Sequence, residues 1–197
     1  MGVRVVIAED EAIIRLDLKE TLEEEGYEVV GETGRGDEAV ELVRRHRPDL
    51  AILDIKMPGR DGLDAAREIT GERLAAVLIL TAFSQRNLIE DARDAGALAY
   101  LVKPFQKGEL IPALEVALAR HAELRALEEE NRSLADQLET RRWLDRAKGK
   151  LMDEFNMSEN DSFSFIRKAA MDRRVTLRAA AEAVLDGSLA PDQRDPA

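Results

Sequence analysis

The strongest constraint on the fold is a rhythm in the first hundred residues, where short apolar runs alternate with amphipathic stretches. Residues 3–8, 27–32, 50–54, 76–81 and 99–102 are short and largely apolar, as strands buried on both faces are. Between them, residues 12–25, 36–45, 62–69 and 87–95 repeat apolar positions at helical spacing, with Gly26 and Gly96 as stops. A further helix opens near Gly108, with Pro112 close enough to its start to be tolerated. In the first helix Ile13, Leu16 and Leu22 are read as lying on one side. This alternation predicts an α/β domain with a five-stranded parallel, doubly wound sheet of flavodoxin-like type. The working groups of such a sheet gather beyond the carboxyl ends of its strands.

Composition narrows the chemistry. There is no cysteine, which excludes disulfides and thiolate metal sites and suits a reducing cytosol. No apolar run approaches the roughly 20 residues needed to span a membrane, and Met1 leads into a strand without a signal-peptide layout. A cytoplasmic protein is expected. The formal net charge of −11 is unevenly spread. Residues 141–178 hold ten basic and six acidic residues, so they carry +4 against −15 elsewhere. The front of the chain is acidic and the back mildly basic.

After Pro112 no strand signal recurs until about Asp153. Ala117, Leu124, Asn131 and Leu138 recur every seven residues, and Leu127 and Leu134 lie three beyond Leu124 and Asn131. This is a short heptad seam with Asn131 at an a position, flanked by Arg120 and Arg141 at d positions. It predicts a coiled-coil linker over residues 117–141 and a parallel homodimer, whose assembly phosphorylation could control. Beyond it, Ser158 to Asp161 reads as a capping box opening a helix to about Arg173, and Thr176 caps a last helix ending at Asp186 and Gly187. The expected layout is a first domain over 1–120, the linker, a three-helix all-α output domain over 138–190 and a disordered tail over 191–197.

The predicted strand ends carry Glu9 and Asp10, Asp54, Thr81, and Lys103 followed by Pro104. Carboxylates meeting at one sheet edge would repel by about 4 kcal/mol per pair at 4 Å with an effective dielectric near 20, so they call for a cation. Oxygen donors without nitrogen or sulfur suit Mg²⁺, which favours phosphate oxygens. Asp54 can then act as a carboxylate nucleophile, with Lys103 and Thr81 as partners of the phosphoryl oxygens. Each feature is weak alone; their order at successive strand ends is specific.

These residues, in the runs Ile7–Glu11, Leu53–Gly59, Asp61–Gly62, Leu80–Ala82 and Tyr100–Phe105, resemble the receiver domains of two-component response regulators over residues 3 to 120. The resemblance implies that Asp54 accepts a phosphoryl group from a histidine kinase. It implies Mg²⁺ ligation by Asp10, Asp54 and the main-chain carbonyl of Lys56, with Glu9 acting through a metal-bound water. Thr81 and the N–H of Ala82 would hold the phosphoryl group and Lys103 would pair with it. The bond before Pro104 would be cis. Tyr100 would swing inward as Thr81 moves, and the chain would be a phosphoacceptor with autodephosphorylation rather than a turnover enzyme.

Residues 138–190 resemble the ANTAR domain, an RNA-binding antiterminator module, through Arg146 to Met152 and Phe163 to Asp172. Together the parts resemble the phosphorylation-dependent antitermination regulators of actinobacteria, which implies RNA hairpins as targets. Lys148, Arg167, Arg173 and Arg174 are the expected RNA contacts. Trp143 reads first as an edge-of-core residue and second as a base-stacking one. Gly149 reads as room for close approach by a helix or by RNA. A DNA-binding helix-turn-helix is the rival output, but Arg178, Glu182 and Asp186 on the last helix suit a phosphate-lined groove poorly. A purely protein-binding bundle is the second rival.

Overall fold

The structure, a computed structural model, describes residues 2–82 and 86–191. The expected disordered tail falls, after Pro191, outside the described residues. Five strands, β1 (Arg4–Ala8), β2 (Glu28–Thr33), β3 (Leu50–Asp54), β4 (Ala76–Thr81) and β5 (Ala99–Val102), form one parallel sheet in the order β2-β1-β3-β4-β5. Helices α1 (Ala12–Glu24), α2 (Gly36–His46), α3 (Gly62–Gly71) and α4 (Arg86–Asp94) connect them, and α5 runs from Lys107 to Phe155. Two apolar clusters flank the sheet. One gathers Val6, Leu53 and Ile79 against α2 and α3; the other gathers Ile7, Ile52 and Leu78 against α1 and the start of α5. Alternate residues of a strand point to opposite faces, so consecutive residues of β3 and β4 feed both layers and both strands are buried throughout.

Two sequence expectations are corrected here. In α1 the buried residues are Leu18 and Leu22, with Ile14 packed beside them, whereas Ile13 is 85% and Leu16 57% exposed. Ile13 lies nine residues, about two and a half turns, before Leu22, and so faces the opposite side of the helix. Ala117, read as the first seam position, is fully buried in the cluster beneath the sheet. The outward-facing seam therefore begins at Leu124.

The chain divides into two units, residues 1–126 and 127–197. In the second, α5 packs with α6 (Glu159–Arg173) and α7 (Leu177–Leu185) around Ala147, Leu151, Ile166, Ala181 and Val184. The caps are the expected ones. Ser158 Oγ accepts from the Asp161 N–H at 3.1 Å, and Thr176 Oγ1 accepts from the Ala179 N–H at 3.1 Å. Arg174 closes α6 in the left-handed conformation, φ 54°. A side chain at Gly149 would meet nothing within 4 Å among the described residues, so none of the described neighbouring helices requires that glycine.

Candidate functional site

The parallel topology brings the carboxyl ends of β1, β3, β4 and β5 to one edge. A pocket of about 290 Å³ opens there, lined by Asp10, Glu11, Asp54, Ile55, Lys56, Thr81, Ala82 and Lys103. Asp54 terminates β3 and is 6% exposed. Its Oδ1 accepts from the Ile55 N–H at 2.8 Å, which leaves Oδ2 turned toward Lys103 Nζ at 3.3 Å. Glu9, fully buried behind the pocket, places Oε2 2.6 Å from the same ammonium, although the angle does not make a hydrogen bond. Thr81 is also buried, Ala82 is exposed at the rim, and the Lys103–Pro104 bond is cis.

The electrostatics follow from burial. Desolvation raises the Asp54 carboxyl above its ordinary range, against the opposing pull of Lys103. Glu9 is raised for the same reason, with Lys103 opposing and Asp54 adding. Burial works against the Lys103 ammonium, yet the close Glu9 carboxylate and the Asp54 charge together hold it above its usual value. One ammonium thus faces two buried carboxylates, with Asp10 nearby. Carboxylate oxygens of Glu9, Asp10 and Asp54 all lie within 4.8 Å of one another. The incompletely satisfied Glu9 Oε2 and this all-oxygen donor set fit a hard divalent cation.

Of the residues read from the sequence, Glu9, Asp10, Asp54, Lys56, Thr81, Ala82 and Lys103 all come to this edge. The Lys56 side chain pairs with Asp61 at 3.3 Å. Tyr100 lies on β5 and is 43% exposed. Sequence reading missed Glu11, whose N–H donates to Glu9 Oε1 at 3.2 Å, and Arg15, whose guanidinium donates to the Glu9 main-chain carbonyl. Helical spacing from α1 to the strand end was the signal that could have found Arg15.

The basic residues of the output unit fall into two groups. Lys148 is only 18% exposed and pairs with Asp145 at 3.0 Å and Glu159 at 2.8 Å, tying α5 to α6. Lys150 donates to the Leu185 carbonyl at the end of α7, and Arg178 pairs with Glu139 and Glu182. Arg167, Arg173 and Arg174 are exposed, and among the described residues no carboxylate pairs with them.

Residues 5–115 match the response regulator receiver domain and residues 132–185 match the ANTAR domain. The chain is 59% identical over 183 residues to the transcriptional regulatory protein PdtaR of Mycobacterium tuberculosis, covering 93% of this chain and 89% of that protein. It is 40% identical to the chemotaxis protein CheY of Thermotoga maritima over 58% of this chain and 96% of that one. Among solved structures, the signal receiver domain of the response regulator NarL from Mycobacterium tuberculosis superposes with a TM-score of 0.58. It is 32% identical, over 60% of this chain and 97% of that one.

Proposed function

The chain belongs to the response regulators that join a receiver domain to an ANTAR domain, and on that premise we propose that phosphorylation of Asp54 controls an RNA-binding output that opposes transcription termination. It is a phosphoacceptor rather than a turnover enzyme; its receiver implies a kinase partner and its ANTAR domain implies RNA binding. The observation that carries the reading is the pocket in which buried Asp54 faces Lys103 beside Thr81 and the Glu9 and Asp10 carboxylates. Asp54 Oδ2 attacks the phosphorus of a phosphohistidine; the O–P bond forms as the P–N bond breaks, and the imidazole leaves. Lys103 already lies between Glu9 and Asp54, so it can turn its charge to the phosphoryl oxygens without entering from solvent. The Thr81 hydroxyl and Ala82 N–H supply donors from the neighbouring strand, and Tyr100 on β5 follows the movement of Thr81.

The residues that would hold Mg²⁺ are Asp10, Asp54 and the carbonyl of Lys56, with Glu9 behind them. When bound, the ion supplies the positive charge that lets carboxylates and phosphoryl oxygens share one site. Millimolar Mg²⁺ should stabilise the protein by about 1–3 kcal/mol if present at 10 to 100 times its Kd, a rise of several degrees in receiver melting. Asp10→Asn should remove most of that rise. An equal shift in the variant would place the ion elsewhere.

The seam residues Leu124, Leu127, Leu134 and Leu138 are 49%, 50%, 51% and 62% exposed on α5. Four half-exposed leucines at heptad spacing support a parallel dimer, with Asn131 selecting two strands and one register. Sedimentation at micromolar concentration should find dimer in at least one phosphorylation state, and Leu127→Asp with Leu134→Asp should return it to monomer. Monomer in both states at high concentration would remove the seam from the mechanism. No helix among the described residues is long and apolar enough to cross a membrane, and the absence of cysteine suits action in the cytoplasm.

The output reading is tested by selecting RNA from a pool of two-hairpin molecules with randomised loops on the phosphorylated protein. Loop-specific binding, lost in loop mutants and absent for duplex DNA of matching sequence, is expected. Equal binding to duplex DNA favours a helix-turn-helix mode, and no nucleic acid binding favours a protein partner.

A further inference from the structure

The output unit holds a feature that neither the ion pairs nor the bundle core explains. Glu139, Arg142, Trp143 and Arg146 follow one another at helical spacing along one face of α5, where with Asp145 they line an open groove of about 420 Å³. The Trp143 ring is half-buried, packed against the bundle core. The guanidinium carbon of Arg146 lies 5.4 Å from its centroid and that of Arg178 lies 6.0 Å away. The two arginines are held differently. Arg178 is bound by Glu139 at 2.7 Å and Glu182 at 2.9 Å, with Asp136 at 3.8 Å. Arg146 is exposed, and among the described residues no carboxylate pairs with it.

The consequence is an exposed guanidinium within cation–π distance of a half-buried ring. A guanidinium bound to carboxylates is neutralised and committed; one held only by an aromatic face keeps its donors and its charge. Arg142, one turn before Arg146, is also exposed and unpaired among the described residues, and adds positive charge at the rim. Unpaired nucleobases stack on aromatic rings and on arginine planes, and their phosphates follow positive charge. Lys148, by contrast, spends its charge on Asp145 and Glu159.

We propose that Trp143 and Arg146 form a stacking platform for one unstacked base of an RNA loop, with Arg142 meeting an adjacent phosphate. The proposal rests on the RNA-binding reading above and moves the centre of contact from Lys148 to the start of the bundle on α5. Trp143 is the single tryptophan of the chain, so its fluorescence reports the platform directly.

The experiment uses the full-length phosphorylated protein and the two-hairpin RNA enriched by the selection above. Binding should quench Trp143, and 2-aminopurine placed at one loop position should report stacking. Arg146→Ala should weaken binding about 10-fold, and Arg146→Lys should weaken it nearly as much, because lysine keeps the charge and loses the plane. Arg142→Ala should lower the salt dependence by about one phosphate contact. Unchanged melting of these exposed-site variants keeps folding out of the comparison. If the RNA binds by gel shift while Trp143 fluorescence and both Arg146 variants are unaffected, the platform is wrong and the RNA-binding reading stands. If Arg146→Lys binds like the parent while Arg146→Ala does not, Arg146 is a charge contact and the platform is again wrong. Failure of the selection to yield any bound RNA removes both.

Discussion

Replacing Asp54 with Asn should abolish phosphoryl transfer from the cognate kinase while leaving the protein folded. The loss is chemical. A carboxylate oxygen carries the electron pair that attacks phosphorus, and an amide at the same place does not. The other oxygens at the pocket are poorly placed to substitute: Glu9 is fully buried behind Lys103, and Thr81 is a buried neutral hydroxyl. Asp10 and Glu11 are the exposed carboxylates lining the pocket, and Asp10 is the one grouped with Glu9 and Asp54, so the double variant Asp10→Asn, Asp54→Asn separates a residual signal on that residue from none. The fold should survive because asparagine has nearly the same shape and its amide oxygen can still accept from the Ile55 N–H, as Asp54 Oδ1 does at 2.8 Å. Labelling from a phosphorylated kinase, followed by acid and base lability of the product, measures the outcome. Undiminished labelling of Asp54→Asn would sink the assignment.

The legibility of this site in the sequence has a physical basis. A parallel sheet sends all its carboxyl ends to one side, so residues distant in sequence but next to strand ends had to meet. Glu9, Asp10, Asp54, Thr81 and Lys103 could be placed together without any coordinate. What escaped was information about which way a side chain turns. Ile13 and Leu16 look like core in composition, but the angle between them and Leu22 on α1 leaves both exposed. Ala117 fits the heptad as well as Leu124 does, yet the receiver core claims it first. Lys148 was read as an RNA contact, but it pairs with Asp145 one turn back and with Glu159 from the next helix, eleven residues on, across a turn whose geometry spacing alone does not specify. Arg146 and Trp143 stood in plain view three residues apart, but their contact depends on rotamers. Pattern finds what backbone topology dictates; partners set by side-chain direction appear only in three dimensions.

Gly62→Ala should be the most damaging conservative change in the receiver. Gly62 opens α3 after the loop that follows the phosphoacceptor strand, and its N–H donates to the Ile55 carbonyl at 2.8 Å. A Cβ built there would lie 1.8 Å from the Asp54 carbonyl oxygen, 2.8 Å from its carbon and 3.1 Å from Ile55 Cα. All three are backbone atoms at the end of the strand that presents the nucleophile and of the residue after it, so no side chain can swing aside. Relief requires α3 and the end of β3 to separate, which breaks the 2.8 Å bond and shifts Asp54 relative to Lys103 and Thr81. Overpacking of this kind costs about 1–3 kcal/mol when flexible atoms yield, and a backbone-to-backbone clash belongs at or beyond the upper end. Gly149→Ala is the matched control within the same chain. There the new methyl group meets nothing within 4 Å, and removing glycine from a helix interior should raise stability by about 1 kcal/mol. The two substitutions are chemically identical and should move melting in opposite directions. Only the first should slow phosphorylation of Asp54, because only the first displaces the strand end that aims it. A Gly62→Ala protein with parental melting and parental labelling would show that the β3 to α3 connection is not packed as tightly as these distances require.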